Sequence, residues 1–275
     1  MTEFRTATEE DLAEILSWAA EEGWNPGLED AAAFYQADPE GFFIARHEGH
    51  PVAAISVVNH SPDYTFLGLY IVRPTHRGKG IGLALWTHAL AYAGDRTVGL
   101  DGVEDQQANY AASGFVHASG TSRYSGTLPA RASAAIRPAS SGDLPSLIAR
   151  EGAASGVAKP AYLRAWFLPA ETRQTFVFEK GEQIAGLCTV RRCGEGAKIG
   201  PLQADSPEIA EALLTHASNW AGCALIIDVP QSATALTAIC EGHGMTPSFR
   251  TARMYRGAFA SPEAPLFAVT SLELG

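Results

Sequence analysis

The stretch VRPTHRGKGIG, residues 72–82, decides how this chain is read. It follows the apolar run FLGLYIV (66–72) and leads into IGLALWTHAL (81–90), so a strand ends, turns through glycines and enters a helix. In that geometry free backbone N–H groups and the positive end of the helix dipole converge on one point, which suits an anion. Gly78, Gly80 and Gly82 let the backbone approach phosphate oxygens with no Cβ in the way. Spacing excludes two familiar phosphate loops. Gly80 follows Lys79 where a Walker loop needs Ser or Thr, and Leu83 stands where the dinucleotide fingerprint needs its third glycine.

Around this loop the chain is written twice. RTATEEDL (5–12) recurs as RPASSGDL (137–144), and HEGHPVAAISVV (47–58) lies over EKGEQIAGLCTV (179–190), both at an offset of 132. Thr8 and Ser140 are expected N-caps of the first helix in each copy. Each copy then reads helix, hairpin, strand, helix, strand. In the first, RTVGLDGV (96–103) is a strand, a short helix surrounds Gln107–Ala112, and a last strand pair ends at SRYSG (122–126), matched by RMYRG (253–257). The division is an N-terminal domain over 1–127, a Pro/Ala/Ser-rich linker over 128–135 and a C-terminal domain over 136–275. The late apolar run LFAVTSLEL (266–274) is expected to add a strand to one half. The fold class is α+β, two tandem domains, each a mixed and mostly antiparallel sheet flanked by helices.

The second copy lacks the loop. LWTHALAYAG (85–94) lies over LLTHASNWAG (213–222), so the offset has dropped to 128 inside the motif. KIGPLQA (198–204) passes straight into a helix capped by Ser206 and Pro207. Asp205 and Glu208 satisfy its dipole and would repel a diphosphate. Asp228 in IIDVP stands in this half where Asp101 in LDGV stands in the first.

Composition narrows the rest. A formal charge of −10 argues against nucleic acid and is compatible with a cationic small molecule. No apolar run approaches the ~18 residues of a membrane span, and the acidic start MTEFRTATEEDL is unlike a signal peptide, so a soluble cytoplasmic protein is expected. Cys188, Cys193, Cys223 and Cys240 form no C-x-x-C pair and read as reduced core thiols. His47 and His50 flank a turn without further ligands, so no metal is expected.

The motif V-x-P-x-x-R-G-x-G-I-G, carried by Val72, Pro74, Arg77, Gly78, Gly80, Ile81 and Gly82, resembles the acetyl-CoA pyrophosphate loop of the GCN5-related N-acetyltransferase (GNAT) superfamily. NYAASGF (109–115) resembles that superfamily's L-Y-x-x-x-G-F segment. With GWNPG (23–27), GLYIVRP (68–74), LDGV and RMYRG, the chain further resembles the tandem acetyltransferases of the YitH-like family. The resemblance implies that the amides of Gly78, Lys79, Gly80, Ile81, Gly82 and Leu83 hold the pyrophosphate, with Arg77 and Lys79 as countercharge. It also implies that the backbone at Ile71 and Val72 pairs with pantetheine, that an N–H at or beside Ile71 polarises the thioester, and that Tyr110 protonates the departing thiolate.

Many relatives place a glutamate on the fourth strand, but FLGLYIV has no carboxylate; Asp101 is the expected base, with Glu104 and His60 in reserve. Trp24 and Asn25 are expected to face the acceptor, and the asparagine that often touches the cofactor is replaced near Val103. The implied activity is transfer of an acetyl group from acetyl-CoA to a primary amine of a small-molecule or amino-acid-like acceptor, by direct attack in a ternary complex. Only the N-terminal half is expected to bind CoA. A CoA-binding sensor without turnover is the competing reading. Nucleic acid and membrane are not expected partners, and a homodimer is left open.

Overall fold

A computed structural model describes residues 1–259, 264 and 266–275. The first copy runs β1 (Thr2–Thr6), α1 (Glu9–Glu21), α2 (Asp30–Ala37), β2 (Phe42–His47), β3 (His50–Asn59), β4 (Tyr64–Val72), α3 (Ile81–Leu90), β5 (Thr97–Val103), α4 (Gln107–Ala112) and β6 (Val116–Gly126). The second runs β7 (Ile136–Pro138), α5 (Leu144–Ser155), α6 (Pro160–Phe167), β8 (Arg173–Lys180), β9 (Gln183–Arg192), β10 (Ala197–Ala204), α7 (Pro207–Ala221), β11 (Leu225–Pro230), α8 (Thr234–Gly242) and β12 (Thr246–Arg256). The two recurring Asp-Leu helix starts are capping boxes, Thr8 with Asp11 and Ser140 with Asp143.

Among the described residues the strands join one 12-stranded sheet in the order β1-β2-β3-β4-β5-β12-β6-β11-β10-β9-β8-β7. The last strands are exchanged. β12 completes the sheet of the first copy by pairing with β5, and β6 completes that of the second by pairing with β11. The two exchanged strands pair antiparallel with each other at the centre. The expected strand pair ending at residue 126 is instead one strand of 11 residues, Val116–Gly126. Its neighbours on both sides come from the other copy, so it needs no hairpin partner of its own.

Most pairings are antiparallel; β4–β5 and β10–β11 are parallel. Those two ladders stop early, at Leu67↔Leu100 and at Ile199↔Ile227. Beyond them the strands part. One face of the sheet carries α1, α2, α5 and α6 in a shared core, where Phe34 of α2 stacks on Trp166 of α6 at 5.9 Å between centroids. The alternation of β3 sorts the faces: Ala54 and Val58 join that core, while Ala53, Ile55 and Val57 pack with α3.

The run at 266–274 does not add a strand. It makes a single isolated bridge, Leu202↔Ala268. The residues that follow leave β10, accept no further ladder and cross to β4, so the segment binds several strands in turn instead of extending an edge.

Candidate active site

The glycine loop closes as the sequence demands. Gly78 and Gly80 have φ of 72° and 77°, left-handed values that favour glycine, and the space beside both is open. α3 begins with Gly80 as its N-cap, no capping side chain and no acid in its first turn. Its N-terminal amides and dipole therefore remain available to an anion. Gly82 serves packing: a Cβ there would stand 2.7 Å from Tyr70 Oη and 2.8 Å from Val72 Cγ2. Arg77 braces the loop, its Nε donating to the Val72 carbonyl at 2.8 Å and its guanidinium pairing with Glu22 of the residues after α1. Arg77, expected as a countercharge, lines the cleft together with Glu22, and both side chains of the pair are partly exposed. Lys79 and Ile81 do not line the cleft; the Ile81 side chain is buried in the core under α3.

A cleft of about 560 Å³ runs from this loop into the gap between β4 and β5. Gly68, Leu69, Tyr70, Ile71 and Val72 form one wall, and Asp101, Val103 and Tyr110 another. β4 is bulged here: Ile71 faces Ala54, but Gly68 faces Ser56, and between them Leu69 takes φ +46°. A buried leucine in the left-handed region costs on the order of 1–2 kcal/mol, and strain of this kind concentrates at functional sites. The bulge re-aims the backbone of Leu69–Ile71 along the gap, where it can pair with an extended ligand and present N–H groups to a carbonyl.

Tyr110 is held by stacking on Trp86, with 5.6 Å between centroids, and by Gly102, where a Cβ would come within 2.9 Å of the phenol ring. Burial, with a smaller contribution from Tyr70, pushes its phenol up to about 12. The hydroxyl therefore keeps its proton at neutral pH.

Asp101 lines the cleft, but its side chain has 0% exposure and its two oxygens accept from Arg253 of β12, at 2.8 Å from Nε and 2.7 Å from Nη2. Each oxygen accepts one guanidinium hydrogen bond, so the carboxylate expected as the base is held in an ion pair between the two copies. Asp228 is held in the same way by Arg123 of β6, at 2.7 and 2.9 Å. Neither reserve base reaches the cleft. His60 is buried with Nε2 donating to the Leu274 carbonyl at 2.8 Å, and Glu104 lines an adjoining pocket with Pro247 and Arg250 that shares Val103, Asp105 and Phe249 with the cleft.

Trp24 lines the cleft, its carbonyl accepting from Lys198 Nζ at 2.7 Å and Arg123 Nη1 at 3.2 Å. Asn25 does not. With φ +52° it turns away, exchanges hydrogen bonds of 2.8 and 3.1 Å with the backbone of Glu195, and so ties α1's exit to a turn of the second copy.

Sequence reasoning missed the far wall. Arg123, Phe249, Thr251, Leu272 and Glu273 complete the cleft, brought there by the strand exchange and by the segment after β12. The matching SRYSG and RMYRG stretches marked the exchanged strands but carried no sign of which sheet each would join.

That same segment fills the second copy's gap. Val269 N donates to the Asp228 carbonyl at 3.2 Å, Leu202 N to the Ala268 carbonyl at 3.2 Å, and the Val269 and Thr270 carbonyls press on Gly200. α7 is capped by the Ser206 hydroxyl and carries Glu208 in its first turn, while Asp205 pairs with Arg150. The four cysteines are free thiols. Among the described residues no helix is long and apolar enough to cross a membrane.

Comparison with known proteins agrees with this geometry. Residues 9–118 match the family described as Acetyltransferase (GNAT) family, and residues 150–268 match the Acetyltransferase (GNAT) domain. A holothin acyltransferase from Pseudoalteromonas sp. (strain SANK 73390) is 33% identical over 276 residues, covering 98% of this chain and 94% of its own. A crystal structure from Pyrococcus horikoshii, presented as an acetyltransferase, superposes with a TM-score of 0.82 at 20% identity over 100% of this chain and 96% of that one. A tandem GNAT protein from the clavulanic acid biosynthesis pathway gives 0.65 at 15% identity, over 94% of this chain and 100% of that one. The chain therefore belongs to the GNAT acyltransferases, as a tandem member built from two GNAT domains.

Proposed function

We propose that the first domain binds acetyl-CoA and transfers its acetyl group to a primary amine of a small-molecule acceptor, by direct attack in a ternary complex. The observation that carries this reading is the single cleft that joins the uncapped N-terminus of α3 to the β4–β5 gap, with Tyr110 on its wall. The amides of Gly78 to Leu83 hold the pyrophosphate, and the backbone at Ile71 and Val72 pairs with the pantetheine arm. An N–H of the bulge at Leu69–Ile71 polarises the thioester carbonyl, and Tyr110 protonates the thiolate. The acceptor lies between Trp24 and the wall formed by Phe249 and Thr251. Asp101 acts through Arg253, fixing β12 against β5 and so placing that wall.

The second domain binds no CoA in this reading, because its gap holds the chain's own residues 267–270 and its α7 start is acidic. It serves as a wall of the shared acceptor site. The kinship with YitH-like tandem acetyltransferases belongs to this proposal, resting on GLYIVRP and RMYRG.

Calorimetric titration tests the donor site. One acetyl-CoA per chain is expected, lost in Gly80→Asp, where a side chain would meet both a left-handed φ of 77° and a negative charge at the anion site. Two sites per chain, or unchanged binding in the variant, would contradict the assignment. Release of free CoA across a panel of primary amines that includes holothin tests the transfer.

A further inference from the structure

β4 offers no carboxylate, and Asp101 is locked on Arg253. Another acid nevertheless lines the cleft. Glu273 arrives from the segment after β12, and its main-chain carbonyl presses against Gly68, the residue at which β4 leaves β5. Its side chain is 4% exposed. Oε1 stands 3.9 Å from Lys198 Nζ and Oε2 stands 4.0 Å from an Arg191 terminal nitrogen, too far for hydrogen bonds. Both cations are committed elsewhere: Lys198 donates to the Trp24 carbonyl at 2.7 Å, and Arg191 Nε to Asp30 at 3.1 Å. They balance a carboxylate's charge without occupying its lone pairs.

Oε2 of Glu273 is buried with no hydrogen-bond partner among the described residues, and so is Oγ1 of Thr251, which lines the same cleft. A buried acceptor left unpaired is costly, the more so when it is charged, so a partner is expected in the working complex. The segment that carries Glu273 is pinned on both sides. Tyr162 Oη donates to Ser271 Oγ at 3.2 Å, His60 to the Leu274 carbonyl, and Lys159 Nζ to the Gly275 carbonyl at 2.5 Å.

We propose that Glu273 is the general base of the transfer, supplying from the far end of the chain the carboxylate that β4 lacks. This rests on the acetyl-transfer reading above. The acceptor nitrogen's lone pair forms the N–C bond to the thioester carbonyl carbon, and the proton it sheds passes to the Glu273 carboxylate. Collapse of the tetrahedral intermediate breaks the C–S bond, the electron pair leaves on sulfur, and sulfur takes its proton from Tyr110. Solvent then removes the proton from Glu273 and returns one to Tyr110, so the cycle balances without a further reactant.

The test uses the full chain, acetyl-CoA and an amine that the panel identifies as an acceptor. Glu273→Gln is expected to bind acetyl-CoA as the wild type does and to lose about 10²-fold or more of kcat/KM. Glu273→Asp keeps the charge facing Lys198 and Arg191 but withdraws the carboxylate, and is expected to fold with a clear loss of kcat. Formate is expected to restore part of the turnover of Glu273→Ala. Wild-type turnover in the Gln or the Asp variant would overturn the inference, as would a folded Ala variant indifferent to formate. Should the wild type release no CoA with any amine, the acetyl-transfer reading itself fails and this inference with it.

Discussion

Gly68 and Gly200 hold the same position in the two copies, 132 residues apart, and a Cβ on either would strike main-chain carbonyls of one segment. At Gly68 the carbonyl is that of Glu273; at Gly200 the carbonyls are those of Val269 and Thr270. Each glycine is the first residue after its parallel ladder ends. One stretch of chain thus plugs the gap of the second domain and floors the gap of the first.

The clash is against backbone, so no change of rotamer relieves it. Gly200→Ala is expected to lower stability by about 1–3 kcal/mol, as overpacking does, with a matching loss in the urea midpoint. Gly68→Ala is expected to shift Glu273 and so to reduce kcat more than acetyl-CoA affinity. Unchanged urea midpoints and turnover in both variants would show that the segment does not sit in the two gaps.

Asp101–Arg253 and Asp228–Arg123 each fasten an exchanged strand to the other copy's sheet. Removing one partner leaves the other buried and unpaired, so Arg253→Ala and Arg123→Ala are each expected to cost about 3–5 kcal/mol in denaturant unfolding. Replacing both members of a pair with apolar residues of similar volume is expected to recover most of that loss. A double-mutant cycle on Asp101 and Arg253 measures the coupling; a cycle closing near zero would contradict it.

How far the sequence could be read follows from where information is local. The loop at 72–82 and the helix caps at Thr8 and Ser140 depend on residues close in the chain, and their spacing reports them. The strand exchange is different. Arg123 and Arg253 are near-equivalent residues of the two copies, and either strand could in principle dock beside Asp101 or Asp228, so nothing in the pattern selects the crossed arrangement. Glu273 is harder still. It sits in an apolar run that lies outside the repeat, and its meaning depends on Gly68, Lys198 and Arg191, which are distant in sequence.

His60 gives the fold an acid-sensitive point next to that segment. Burial, reinforced by the charge of Lys159, lowers its pKa from the ordinary 6.5 to about 3. Its ring packs on Tyr64 and Tyr162. Between those pH values the unfolded chain binds the extra proton and the native state does not. The stability His60 contributes is therefore complete above about pH 6.5 and falls as pH drops toward 3, at roughly 1.4 kcal/mol per pH unit. Melting curves from pH 7 to pH 5 should show a steeper loss for the wild type than for His60→Gln. Parallel slopes would mean that His60 is not held neutral.

Tyr110 offers a test that separates proton donation from packing. Its phenol is pushed up to about 12 by burial, so it stays protonated and should add no basic limb to the pH–rate profile below about pH 10. Tyr110→Phe keeps the ring that stacks on Trp86 and fills the space beside Gly102. Acetyl-CoA affinity and the melting temperature should therefore change little, while kcat falls about 10²-fold or more because the thiolate departs without its proton. A basic limb at neutral pH that disappears in Tyr110→Phe would instead mean that the phenol ionises near neutrality and is not held protonated by burial, and turnover undiminished in that variant would assign the proton to another donor.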